Sequence, residues 1–262
     1  MKTIYSILFL VTHALHSGAQ GKNIMPLQPA DSRQPLVIHF NNSPSNYIRI
    51  INESGLKRLP GVIKDLSVAL NESAIPERLL SDKKKLIIYL HDESCTSFKI
   101  SASVEFPVND TIYHVKLNRF NEQATDMALA ATLIHEIMHC VLFEIYKGAQ
   151  RSEEKAITGI LGMGLKNHDT TNVFDNDFFH IMNRGNDGQH ELMARLFYPQ
   201  MVLLLKQFAV MHKRFFPNKK TAEFLMWTGL QNTSAYKKLD EDVRRNIVET
   251  ILSEKGIDDD TE

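Results

Sequence analysis

The stretch NEQATDMALAATLIHEIMHCVLFEIY, residues Asn121–Tyr146, decides how this chain is read. It contains neither glycine nor proline, and Ala128, Ala130 and Ala131 are strong helix formers. Met127, Ala128, Ala131, Ile134, Met138 and Leu142 recur at helical spacing, so the segment is expected to be a helix with an apolar face. Lys147-Gly148 is expected to close it with a basic last turn and a C-cap glycine. Within the helix lies His135-Glu136-Ile137-Met138-His139. Side chains four apart share a face, so His135 and His139 can grip one metal ion, with Glu136 beside a water on that metal. Two imidazoles, an adjacent carboxylate and an open position are the parts of a hydrolytic zinc site.

The chain has 11 histidines, and from its own composition such a pattern would arise by accident with a probability of about 3%. The helical context raises its weight. The competing reading is a buried helix whose histidines are merely hydrogen-bonded.

Length and composition set the frame. With 262 residues, 43% hydrophobic and 23% charged, the chain can build one good core. A net charge of −1 and the lack of a long Lys/Arg block argue against a nucleic-acid partner. Met1-Lys2, an apolar run from Ile4 to Leu15 and Ser17-Gly18-Ala19 read as a secretory signal over residues 1–19, cleaved after Ala19. The apolar run is too short to span a bilayer, so stable membrane insertion is not expected. An exported, periplasmic or secreted protein follows, in a compartment that permits disulfides. Cys95 and Cys140 are the two cysteines, too few for a four-cysteine zinc ribbon, and their pairing is open. Cys140 points away from His139 around the helix and reads as a packed core thiol.

Residues 20–34 form a lead-in, 35–255 one domain, and 256–262 an acidic tail. Strands are expected at Leu36–Phe40, Leu86–Leu90, Phe98–Phe106 and Ile112–Leu117, with a helix at Leu59–Leu70 between the first two. After the motif helix come helices at Glu153–Leu165, from about Asn186 to Met211 with an interruption near Pro199, at Thr221–Leu230 and at Glu241–Ser253. Residues His168 to Gly188 read as a polar loop, and Gln189 as the third residue of a capping box. Strands first, then helices, is an α+β order. The strand Ile112–Leu117 is a candidate to hold an extended substrate by edge pairing.

A catalytic zinc normally takes a third protein ligand. His190 heads an inward stripe through Met193, Ala194, Phe197, Met201, Leu204 and Leu205, whereas Glu191 is spaced to pair with Arg195. His190 therefore ranks ahead of Glu191, with His168 and His180 in the loop still open. Tyr198 and Tyr236 are conceivable oxyanion donors, and no motif selects between them or encodes a substrate preference.

Three pieces together resemble the zincin metallopeptidases, and more narrowly the secreted bacterial SprT-like metallopeptidases. They are Ala130–His139, Gln189–Ala194 and Leu225–Thr233, spread over the last two-thirds of the mature chain. The resemblance implies a zincin-like α+β fold: a small N-terminal sheet, the active-site helix, then a mostly helical part. It implies zinc held by His135, His139 and His190, Glu136 as general base, and Trp227-Thr228-Gly229 as a structural turn near the core. DNA-repairing relatives of that family are intracellular and carry a zinc ribbon, so their DNA-linked role does not transfer. The metzincin extension is absent, since positions 142 and 145 are Leu and Ile. The expected activity is hydrolysis of a peptide or protein substrate. The alternative is a secreted zinc-binding protein of the same fold without turnover.

Overall fold

The computed structural model describes residues 36–39, 47–72, 85–93, 102–105, 112–151, 181–212 and 220–256. All belong to one compact unit, Ser32–Glu262. The expected signal segment, the expected lead-in, Cys95, the expected helix at 153–165, His168, His180 and the residues beyond Gly256 lie outside the described residues.

The first elements are β1 (Leu36–His39), β2 (Tyr47–Asn52), α1 (Leu59–Glu72), β3 (Lys85–Glu93), β4 (Ala102–Glu105) and β5 (Ile112–Asn118). Helices α2 (Asp126–Arg151), α3 (Asn186–Leu192), α4 (Tyr198–Met211), α5 (Thr221–Leu225), α6 (Ser234–Lys237) and α7 (Glu241–Lys255) follow. The fold is a mixed α+β arrangement, with a mostly helical second half.

The sheet order is β1-β2-β3-β5-β4. The three central strands run parallel, with β1 and β4 antiparallel on the flanks. β2 was not among the expected strands, although Ile48 and Ile50 alternate inward in the strand pattern. Ile88, Leu90, Tyr113, Val115 and Leu117 complete that buried face. β5 lies between β3 and β4, so its backbone groups are already paired. The expected edge pairing on Ile112–Leu117 is therefore ruled out, and β4 is the strand at that edge among the described residues.

Helix α2 is the centre of the fold. The Thr125 hydroxyl accepts from the Ala128 amide as an N-cap and also donates to Glu254 of α7. The helix continues through Gly148 to Arg151, against the expected C-cap. A mid-helix glycine costs only about 1 kcal/mol relative to alanine. Lys147, three residues after Glu144, binds its carboxylate at 2.6 Å and lies over the Phe143 and Tyr113 rings, which holds this turn in place. Of the span Asp126–Glu144, apolar enough by composition to cross a membrane, 89% is buried inside the fold, as a core helix must be. Cys140 is a free thiol with no exposure, as its place on the helix implied.

Three helices are tied at one point. His212, just past α4, contacts Asp65 of α1 at 2.6 Å and Asp126 of α2 at 2.9 Å, and Arg58 also reaches Asp126. Partial burial lowers the imidazole pKa, but the two carboxylates outweigh it and the net shift is upward. A raised folded-state pKa contributes stability that is complete below the unfolded value and lost as pH rises through the folded one. Urea unfolding at pH 6 and pH 9 should therefore show a His212-dependent loss at the higher pH. His212→Ala should cost about 1 kcal/mol at pH 6 and flatten that dependence.

Candidate metal centre

Two helices bring three imidazoles together. His135 and His139 project from the same face of α2, and His190 enters from α3. Their Nε2 atoms form a nearly equilateral triangle, with sides of 3.1 Å (His135–His139), 3.1 Å (His139–His190) and 3.2 Å (His135–His190). His135 and His139 are buried and His190 is half-buried. The three lie close enough to bind one metal ion.

Electrostatics puts all three in the form that binds metals. Burial drives the His135 pKa well down, helped by His139 and His190. Burial brings His139 to about 4 against the opposing pull of Gln189. His190 is lowered by burial, with Asp187 working the other way. Neutral imidazoles can offer lone pairs, and three Nε2 atoms this close can share one cation. Glu136, next along α2, is buried and its pKa is raised by desolvation to about 8.

The residues flanking His190 differ from the sequence expectation. Gln189 is not a capping side chain: Gly185 is the N-cap of α3, with no side-chain cap bond. Instead the Nδ1–H of His139 donates to Gln189 Oε1 at 2.6 Å. That bond sets the tautomer, leaves Nε2 as the lone-pair nitrogen and orients the ring. Gly188 is needed beside it, because a Cβ there would lie 1.7 Å from the Ile181 carbonyl oxygen. Glu191, expected to pair with Arg195, gives its carboxylate to Ser234, accepting from the amide at 2.6 Å and the hydroxyl at 2.8 Å. His190, and not Glu191, joins His135 and His139.

Pro199 shapes how α3 leads into α4. Proline has no amide hydrogen and its ring crowds the carbonyl four residues back. The chain responds with a π turn over Met193–Phe197, immediately after the ligand helix. Met193, Ala194, Phe197, Met201, Leu204 and Leu205 are all buried, as the inward stripe required.

Neither tyrosine reaches the centre as a donor. Tyr198 Oη donates to the Glu223 carbonyl at 2.6 Å, and Tyr236 Oη to the Arg244 carbonyl at 3.3 Å. Helix α5 stops at Leu225 rather than Leu230, and Met226–Thr233 form successive turns. One of these carries Gly229 against the His135 ring. Gln189 and Gly229 are the site residues that sequence reasoning missed. Gln189 had a signal in its place beside His190. The resemblance marked Trp227-Thr228-Gly229 as a structural turn near the core, but the approach of Gly229 to His135 joins segments nearly a hundred residues apart and was not signalled.

Gln189→Leu should weaken metal binding roughly 10–100-fold while the three ligands remain. Competition with a chromophoric chelator measures this, and unchanged affinity would refute the orienting role. The chain matches no family model, no curated protein and no solved structure.

Proposed function

We propose that this protein is a zinc-dependent metallopeptidase of zincin-like fold, with His135, His139 and His190 as ligands and Glu136 as general base. The observation that carries the reading is the triangle of Nε2 atoms, with the buried Glu136 at the position after His135 on the same helix. Three nitrogens at tetrahedral zinc–nitrogen distances would stand about 3.3 Å apart, close to the sides of that triangle. Neutral imidazole donors suit zinc, and three protein ligands leave one position open. Zinc held there supplies an acidified water, Lewis acidity toward a carbonyl and a positive charge that favours the ionised form of Glu136.

The residues of the chain supply the rest. A Glu136 carboxylate oxygen accepts the proton as the water oxygen bonds to a peptide carbonyl carbon. The same oxygen returns that proton to the amide nitrogen as the carbon–nitrogen bond breaks. Gln189 keeps His139 in the ligating tautomer throughout. An extended peptide adding to the sheet would do so at β4, the edge strand that packs beside α2. The N-terminal segment supports an exported setting for this activity.

Metal analysis and peptide-cleavage assays on purified variants test the reading. The wild type should carry one zinc per chain and His135→Ala should lose it. Glu136→Gln should retain zinc and lose peptide cleavage by roughly 10²–10⁴-fold. Wild-type protein without zinc would exclude the centre. Zinc without cleavage in the wild type would instead identify a non-catalytic zinc-binding protein.

A further inference from the structure

We infer that Gly229, together with the Thr228 backbone, is a positioning floor for the metal centre, holding the His135 ring from below. The inference rests on the metal-binding reading above and extends it to a segment that contains no ligand.

The contact is unusually close. Gly229 has φ +77°, in the left-handed region, and a Cβ built there would lie 2.8 Å from His135 Cε1 and 3.1 Å from Nε2. Any side chain at 229 would meet the ligating edge of the imidazole and push it. Nε2 is the atom that forms one corner of the ligand triangle, so displacement of the ring by even part of an ångström opens that corner.

No side chain orients His135 as Gln189 orients His139 among the described residues. Among the described residues its buried Nδ1 closes no hydrogen bond of good geometry, although the Thr228 backbone lies near enough to act on the ring. A ligating histidine normally donates its second N–H to a carbonyl or carboxylate. His139 is thus aligned by the Gln189 amide, while His135 is aligned by backbone pressed against it.

A floor must itself be rigid, and this one is clamped on both sides. Trp227 lies between Tyr198 and Tyr236, with ring centroids 4.5 Å and 5.5 Å away. Tyr198 is fastened to the Glu223 carbonyl just before the turn. Just after it, Thr233 caps α6, and Ser234 is held by Glu191, the neighbour of His190. The same contacts therefore fix the floor and the helix that delivers the third ligand.

Zinc affinity and metal-free thermal unfolding of the full chain provide the test. Gly229→Ala should lower zinc affinity roughly 10–100-fold and alter the visible spectrum of the cobalt-substituted protein. Gly256→Ala is the control: Gly256 also has a left-handed φ, +66°, and its added Cβ would meet Gln123 instead. That variant should lose melting temperature but keep the wild-type affinity and spectrum. In metal-free protein, Gly229→Ala should destabilise far less in a His135→Ala background, where the ring it strikes is gone. If Gly229→Ala alone does not fold, recovery of folding in the double variant supports the contact and continued failure overturns it. Equal zinc affinity in Gly229→Ala and wild type, or equal destabilisation in both backgrounds, overturns the proposal. A wild type that binds no zinc fails the metal reading itself, a result separate from the thermal comparison.

Discussion

Helix α2 is buried from Met127 to Leu142, and a polar group it carries inward there is costly unless it finds a partner inside the protein. His135, Glu136, His139 and Glu144 all sit on it with less than a tenth of their surface exposed. An unpaired polar group in such a place costs about 1–3 kcal/mol, and a charge costs more. The surroundings answer that demand for Glu144 and His139. Tyr113 and Lys147 meet Glu144 and Gln189 meets His139, while the three Nε2 atoms of the histidines stand 3.1–3.2 Å apart. The same desolvation keeps the rings neutral and holds Glu136 near a pKa of about 8. The apolar setting that stabilises the fold therefore prepares the chemistry of the site.

The third histidine depends on a local irregularity. Proline at 199 rules out a regular helix through that point, and the π turn at Met193–Phe197 absorbs the misfit. His190 sits at the end of the preceding short helix, while Glu191 leaves on another face to hold Ser234. One helical turn thus carries Gln189, which sets the His139 tautomer, the candidate ligand His190 and the tether Glu191. A candidate centre concentrated in so few residues depends on how α2, α3 and the turns after α5 are held together.

The centre was legible where its logic is local. Four-residue spacing on a helix fixes the relation of His135 to His139 without any knowledge of the rest of the chain. The inward stripe below His190 was equally readable, because helical periodicity separates buried from exposed positions. Errors came where two physical readings fit the same letters. Gln189 three residues into a helix resembles a cap, and only the nearby His139 makes it an orienting group. Gly148 resembles a C-cap, yet packing around Lys147 carries the helix past it. Ile112–Leu117 was read as a strand and forms one, but its interior position depends on where β4 lies, which its own residues do not encode.

The amino-acid sequence by itself determined the motif helix, the α+β order and the pairing of His135 with His139, because these follow from periodicity over short distances. The tertiary structure decided which later residue completes the triangle, what orients each ring and which glycine lies against His135. Those relations join residues about 50 to 95 positions apart, where chain geometry sets no direction and only the packing of separate elements does.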